Sequence, residues 1–77
     1  MQMEPGTFRA SKILGANIVA ERQAQGLSRE ELAHRAGMDV GDLTVVEEGC
    51  SDPKIFSTVA RIADALGVEL PLLLEGM

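Results

Sequence analysis

The chain has 77 residues, of which 45% are hydrophobic, with two Phe and neither Tyr nor Trp. This length corresponds to one small domain, whose modest aliphatic core would gain stability from a partner subunit. The apolar fraction excludes wholesale disorder, and the scarcity of aromatic residues argues against a reader of single-stranded nucleic acid.

The single cysteine and the hydropathy pattern indicate where the protein is found. Cys50 has no second cysteine to pair with in the chain, which excludes an internal disulfide and fits a reducing compartment. No run of eighteen apolar residues and no signal-peptide pattern occurs in the sequence. We therefore expect a cytoplasmic protein without a membrane segment.

Acidic residues outnumber basic ones, and the two halves of the chain differ. The net charge is −5, from twelve acidic residues and seven Lys and Arg. Residues 1–37 carry five basic and four acidic residues, whereas residues 38–77 carry two basic and eight acidic residues. Because duplex DNA is bound largely through Lys and Arg, any surface offered to phosphate must come mainly from the first half.

The chain begins with a polar lead, predicted to be flexible over residues 1–7, and the folded domain is predicted over residues 8–77. A first helix is predicted from Phe8, capped by Thr7, and Gly26 ends it. Its apolar residues at helical spacing are Ala10, Ile13, Leu14, Ile18 and Ala24. This spacing predicts that one face of the helix packs in the core.

Two short helical patterns joined by a turn occupy residues 28–49. The predicted helices are Arg29–Ala36 and Val40–Glu48, and Gly37 and Gly49 stand where each should end. Their inward-facing apolar residues are Leu32, Ala33, Ala36, Leu43 and Val46. Two helices joined by a turn of this length form the frame of a helix-turn-helix.

Each of these two helices begins at a residue that is suited to cap it. Ser28 is followed three positions later by Glu31, the spacing of a capping box, in which each side chain accepts a backbone N–H. Asp39 is expected to cap the second helix in the same way. Asp42 adds negative charge to the first turn of that helix, where it interacts favourably with the helix dipole.

Two further helices complete the predicted domain. Asp52 followed by Pro53 is a helix-start signal, and it predicts a fourth helix over Lys54–Leu66, terminated by Gly67. A short fifth helix is predicted over Leu70–Glu75. The apolar stripe of the fourth helix consists of Ile55, Val59, Ile62, Ala63 and Leu66. Five helices without an alternating strand pattern predict a compact all-α domain.

The leucines near the end of the chain exceed what one short helix buries in its own domain. Leu70, Leu72, Leu73 and Leu74 fall within this helix, and one or two of them are expected to face a partner subunit. The residues around Phe8 are the alternative contact surface. We therefore predict a homodimer through Leu70–Leu74 or through the Phe8 end.

Many of these residues occur together in the register of a known family. The matching sequence is LGANIVAERQAQGLSREELAHRAGMDVGDLTVVEEG, followed by SDPKIFSTVARIADALGVEL. Over roughly residues 13–74 the chain resembles the XRE family of Cro and lambda-repressor-type helix-turn-helix domains. The resemblance implies a lambda-repressor-like fold and a transcriptional regulator that binds an operator in double-stranded DNA, with its third helix in the major groove.

The resemblance also assigns roles to individual positions. Arg22 and Glu47 match an Arg–Glu pair that ties the first helix to the third in such domains. The positions that match base contacts are Arg29, Val40, Gly41, Asp42, Thr44 and Val45. The positions that match contacts to the DNA backbone are Arg22, Ser28, Cys50 and Lys54.

The third helix departs from the usual chemistry of base readers, because it contains no Arg, Lys, Gln or Asn. Val40 and Val45 suit a thymine methyl group, and Asp42 suits a cytosine amino group. Asp39, Asp42 and Glu48 repel phosphate. Two functions therefore stay open: a DNA-binding regulator, or a protein-interaction module (antitoxin, anti-repressor or adaptor) whose acidic third helix docks on a basic partner.

Catalytic and metal-binding chemistry find little support in the sequence. His34 is the only histidine, and Ser28 is better explained as a helix cap than as a nucleophile. One His and one Cys far apart in the chain do not make a metal site. We predict neither enzymatic activity nor a metal or cofactor.

Overall fold

The computed structural model describes residues 5–50 and 56–76, with side-chain surroundings for residues 9–50 and 57–76. Its helices are α1 (Pro5–Ala24), α2 (Arg29–Ala36), α3 (Val40–Glu47), α4 (Phe56–Leu66) and α5 (Leu70–Leu73). The described residues contain no strand, and the all-α five-helix prediction is confirmed. None of the described helices is both long and apolar enough to cross a membrane.

The first helix begins three residues earlier than predicted. It starts at Pro5 and not at Phe8, so Thr7 lies inside the helix and does not cap it. Proline is well suited to the first helical position, because its fixed φ is already helical and no intrahelical partner exists there for an N–H group. Residues 1–4 of the predicted lead, and the side chain of Phe8, lie outside the described part.

The core residues that the structure describes are aliphatic, and they come from every helix. The half-buried residues Met38, Ala65, Val68, Leu70 and Leu74 pack around it. The buried members are Leu14, Ile18, Leu27, Leu32, Ala33, Ala36, Leu43, Val46, Val59, Ile62, Ala63, Leu66 and Leu73. The predicted stripes of α2, α3 and the described part of α4 are therefore confirmed. Ala24 is exposed, contrary to prediction, because six positions beyond Ile18 turn the helix by about 240°.

The start of the fourth helix and the end of the fifth helix were also predicted from the sequence. Asp52, Pro53, Lys54 and Ile55 lie outside the described residues, so the predicted start of the fourth helix is not described. The last helix ends at Leu73 and not at Glu75. The Asn17 side-chain amide donates to the carbonyl oxygens of Leu73 at 2.9 Å and Glu75 at 2.8 Å. Carbonyls at a helix end need partners of this kind, and α1 supplies them.

Helix α1 meets the C-terminal end of α3 at very short range. A Cβ atom added to Gly15 would lie 2.5 Å from the carbonyl oxygen of Glu47 and 2.6 Å from that of Val46. On the other side of the crossing, Gly49 has φ +76°, and a Cβ there would lie 2.8 Å from the Cα of Lys12. The two glycines let the backbones approach, and this close contact fixes where α3 points.

Substitution of Gly15 by Ala tests this close contact. Alanine favours a helix over glycine by about 1 kcal/mol, but here the added methyl meets backbone that cannot rotate away. We expect the clash to dominate and to lower the free energy of unfolding by roughly 1–3 kcal/mol, measured by urea denaturation. Gly41→Ala is the matched control, since a Cβ at Gly41 would meet nothing within 4 Å. Equal stability of the two variants would contradict the close approach.

The capping box of α2 predicts a pH dependence of stability. Glu31 accepts a hydrogen bond from the Ser28 backbone N–H at 3.0 Å. That bond, followed by the one from the Ser28 side chain, lowers the pKa of Glu31. A carboxyl group whose pKa is lower in the folded state stabilises the protein above its unfolded pKa of about 4.3, and this contribution is lost as the pH falls through the folded pKa.

Comparison of wild type with Glu31→Gln measures that contribution. The wild type should be the more stable at pH 7, and the difference in free energy of unfolding should shrink as the pH falls below about 4.3. Denaturant melts across this range give the difference. Glu30→Gln removes a charge from the same helical turn and leaves the capping box intact, so it serves as the control. A difference that does not change with pH would rule out this role of Glu31.

Candidate nucleic-acid interface

The turn between α2 and α3 is built from backbone geometry that the sequence predicts. Ser28 Oγ accepts the Glu31 N–H at 3.1 Å, which completes the capping box at the start of α2. Gly37 ends α2 in the left-handed conformation, with φ 67°, and the Met38 N–H donates to the Ala33 carbonyl oxygen at 3.0 Å. Glycine adopts this conformation without a steric penalty. The frame of the predicted helix-turn-helix is confirmed.

The predicted cap at the start of α3 is only partly correct. Asp39 occupies the N-cap position with extended backbone, but its side chain makes no capping hydrogen bond. Asp39 is exposed, so water competes with the backbone N–H groups for its carboxylate. The aspartate contributes negative charge near the helix N-terminus instead.

A buried carboxylate anchors α3 to α1. Arg22 Nε donates to Glu47 Oε2 at 2.8 Å, and Arg22 Nη2 donates to Glu47 Oε1 at 3.3 Å. The side chain of Glu47 is 0% exposed. Arg22 Nη1 also donates to the Leu27 carbonyl oxygen at 2.9 Å, which ties the loop before α2 to the same group. A two-point guanidinium–carboxylate contact fixes orientation as well as adding energy, so the structure brings the predicted pair together.

A second arginine, Arg29, binds the same carboxylate. The sequence did not predict this contact. Arg29 Nε donates to Glu47 Oε1 at 2.7 Å, and the Arg29 side chain is 38% exposed. The hydrogen bond with Glu47 is the main cause of the raised pKa of Arg29. Eighteen positions separate the two residues, a distance at which no local spacing rule predicts contact. With two cations on one carboxylate, this cluster has a net positive charge.

The outward side of α3 is apolar and acidic. Val40 is 41% and Val45 46% exposed. Gly41 and Asp42 are exposed as well, and Thr44 is half-buried. The Thr44 hydroxyl donates to the Val40 carbonyl oxygen at 2.8 Å, so its proton is used within the helix. The structure thus brings five of the six predicted base-contacting residues onto one short helix.

The predicted backbone-contacting residues are spread around this helix. Ser28 is exposed at the start of α2, and Arg22 lies half-buried against Glu47. Cys50 is exposed after α3, where its Sγ lies 3.8 Å from the Glu48 carbonyl oxygen. Lys54 lies outside the described residues. Arg22 and Ser28 lie close to the start of α2, whereas Cys50 follows α3.

A shallow cleft separates α3 from α4 beside this surface. Its lining mixes the acids Asp39 and Asp42 with His34, Arg61 and the apolar Val45. Within the described residues, no group of three or more His, Cys, Asp and Glu side chains could hold a metal ion. The lining contains both acidic and basic side chains together with apolar ones, so it gives no consistent chemistry for a small charged ligand.

The chain is similar to a known protein family and to several solved structures. The model of a family described as "Helix-turn-helix domain" matches residues 13–75. No curated protein sequence gives a significant match. Solved structures do match, and they resemble the chain in fold and in sequence.

Three of these structures cover most of the chain. The restriction-modification controller protein C.AhdI from Aeromonas hydrophila is 30% identical, with a TM-score of 0.77, over 82% of this chain and 94% of that one. The clp gene regulator ClgR from C. glutamicum is 26% identical, with a TM-score of 0.78, over 84% and 83%. The hypothetical transcription factor NHTF from Neisseria is 30% identical, with a TM-score of 0.79, over 96% and 84%.

These findings decide between the two functions that the sequence left open. The structural relatives are described as regulators or as a transcription factor, and none of them favours the protein-interaction module. The XRE-type resemblance of the sequence is confirmed. Because the family model spans most of the chain and the frame of α2 and α3 is intact, the chain belongs to the helix-turn-helix domain family of DNA-binding transcription regulators.

Proposed function

We propose that the chain binds an operator in double-stranded DNA as a homodimer, with α3 in the major groove and the start of α2 against the backbone. The anchoring of α3 carries this proposal. Glu47 is held by arginines from α1 and α2 while the opposite side of α3 is exposed. A helix that contacts bases must be fixed on its inner side and accessible on its outer side. Helix α3 meets both conditions.

Arg29 is the cation best placed to meet DNA. Its bond to Glu47 uses Nε, so the terminal nitrogens of the guanidinium keep their capacity to donate to a phosphate or to a guanine edge. Ser28 lies directly before it, at the N-terminus of α2, where backbone N–H groups and the helix dipole favour an anion. Together these features make the start of α2 the positive part of the interface.

The acidic residues on and beside α3 repel DNA phosphates, and this limits the number of phosphate contacts. Asp39, Asp42 and Glu48 are exposed, and a full charge outweighs the half-charge of a helix dipole at similar distance. Few phosphate contacts are therefore available to each subunit. Two subunits on a two-fold operator double the number of contacts, which is why we include a dimer in the proposal.

The surface of α5 supports one of the two predicted dimer contacts. Leu72 is 38% exposed, and Leu70 and Leu74 are half-buried, while Leu73 is buried in the core. An apolar cluster left partly open at the end of a small domain suits a two-fold contact with a second copy. The alternative contact around Phe8 lies outside the described side chains.

Selection of binding sites from a random duplex library tests the proposal, followed by titration of the selected site at several salt concentrations. We expect binding that weakens steeply with salt, because phosphate neutralisation releases counterions. Arg29→Ala should cost about 1–3 kcal/mol of binding free energy and relax sequence preference if Arg29 reads a base. Arg29→Lys keeps the positive charge but loses the two-pronged guanidinium group. If Arg29 contacts a phosphate, the Lys variant should bind almost as well as wild type. If Arg29 contacts a base, it should bind more weakly.

The control for Arg29 is Arg35→Ala, which removes the same charge from the far end of α2. We expect Arg35→Ala to bind the selected site almost as well as wild type. Equal effects of the two substitutions would exclude a specific role for Arg29. The absence of any retarded complex at about 50 mM salt would contradict operator binding itself.

Substitution of Leu72 tests the dimer separately. Leu72→Glu should convert dimers into monomers in sedimentation at tens of micromolar, because a charge would be buried in an apolar contact. Ala20→Glu adds the same charge to an exposed position of α1 and should leave the sedimentation unchanged. A wild-type chain that sediments as a monomer under these conditions would refute the α5 contact.

A further inference from the structure

The C-terminal helix α5 is too short to hold its own position. It has four residues, and Glu69 at its N-cap makes no side-chain capping hydrogen bond. Isolated helices shorter than about 12–15 residues are marginal in water even when their sequence favours a helix. The position of α5 must therefore come from contacts with the rest of the domain. One such contact is the burial of Leu73 in the core.

A single amide side chain supplies a second contact. Asn17 Nδ2 donates to the carbonyl oxygen of Leu73 at 2.9 Å and to that of Glu75 at 2.8 Å. An amide nitrogen carries two hydrogen atoms, so both donors of Asn17 are used at this one place. Carbonyl groups at the end of a helix have no partner within the helix. Asn17 therefore binds the C-terminal end of α5 at two points, which fixes its orientation as well as its distance from α1.

Helix α1 makes this contact and its contact with α3 on different faces. Ile13 and Asn17 are four positions apart and lie on one face. A Cβ atom added to Gly76, just beyond α5, would lie 3.6 Å from Ile13 Cγ2. Gly15, which meets the end of α3, is two positions from Ile13 and from Asn17, and it is rotated by about 200° from each. Helix α1 therefore lies between α5 and the end of α3 and sets the distance between them.

The leucines that Asn17 holds in place are those of the proposed dimer contact. Leu72 is 38% exposed, and Leu70 and Leu74 are half-buried. In a two-fold dimer through these leucines, the two α3 helices are connected through α1 and α5 of one subunit and the same helices of its partner. Any movement of α5 relative to α1 would then change the separation of the two α3 helices.

We propose that Asn17 is a positioning residue that, by holding α5 on α1, sets the separation of the two DNA half-sites that the dimer recognises. This inference rests on the proposed function, because it needs a dimer through α5 with α3 in the major groove. A dimer in which α5 is fixed accepts one separation of half-sites. A dimer in which α5 can move adapts to others. Asn17 thus determines specificity through α5 and not through a base contact of its own.

Operators with altered spacing test the inference. The selected operator is compared with a copy that has one base pair inserted between its half-sites, which moves them apart by about 3.4 Å and rotates one relative to the other by about 35°. Wild type should bind the lengthened operator at least about tenfold more weakly than the selected one. In Asn17→Ala this ratio of affinities should fall towards one, because α5 can adjust to the new spacing.

Asn17→Ala should also weaken the dimer in the absence of DNA. Dimerisation must then order α5, which costs free energy. We expect the dimer dissociation constant, measured by sedimentation, to rise about tenfold, since two hydrogen bonds to α5 are lost. Asn17→Asp keeps the shape of the side chain but replaces its donor group by an acceptor. It should therefore weaken the dimer at least as much as Asn17→Ala.

Gln25→Ala is the matched control. Gln25 Nε2 donates to the Leu66 carbonyl oxygen at 2.7 Å, so this substitution removes a bond of the same kind from the end of α4. It should lower the thermal midpoint, as Asn17→Ala does, but leave the dimer dissociation constant and the ratio of affinities for the two operators as in wild type. A purely stabilising role of Asn17 predicts instead that both substitutions have the same effects.

The outcomes separate this inference from the proposed function. A dimeric wild type whose spacing preference and dissociation constant are unchanged in Asn17→Ala overturns the inference and leaves the proposed function intact. Equal effects of Asn17→Ala and Gln25→Ala overturn it as well. Loss of helical circular dichroism in both Asn17 variants also overturns it, because the bonds would then serve the whole domain. A wild type that sediments as a monomer refutes the α5 contact of the proposed function, and the inference fails with it.

Discussion

The carboxylate of Glu47 is the interaction on which the rest of the structure depends. It is fully buried, and it joins α1 through Arg22, α2 through Arg29 and α3 through its own backbone. A buried charge without a partner destabilises a protein by about 3–5 kcal/mol, so the three helices are held in one arrangement. Since α3 ends at this residue, the group that stabilises the domain also sets the direction of the helix that we propose to face DNA.

Backbone proximity complements this ionic contact. Gly15 and Gly49 allow α1 to lie against the carbonyl groups at the end of α3, while Asn17 and Gln25 donate side-chain hydrogen bonds to the ends of α5 and α4. Helix α1 and the residue that follows it, Gln25, thus contact the ends of three other helices. Such contacts fix helix positions with few large side chains, which suits a domain whose described core residues are aliphatic.

The sequence predicted the frame better than the surface. Helical spacing and capping rules are local, and they correctly gave α2, Gly37 and the inward residues of α3. The start of α1 was misplaced because its N-terminal turn is polar and has no apolar stripe to mark it. The contact of Arg29 with Glu47 could not be predicted from spacing, since it joins residues eighteen positions apart.

The shared carboxylate also determines how easily the Arg29 side chain can move. Arg22 is 12% exposed and binds Glu47 at two points, whereas Arg29 is 38% exposed and binds at one. If Arg29 turns away, Glu47 keeps a cationic partner and no buried charge is stranded. The change breaks one ion pair and avoids the larger penalty of a buried charge that has no partner. Arg29 can therefore change its orientation while Arg22, Glu47 and α3 keep their positions.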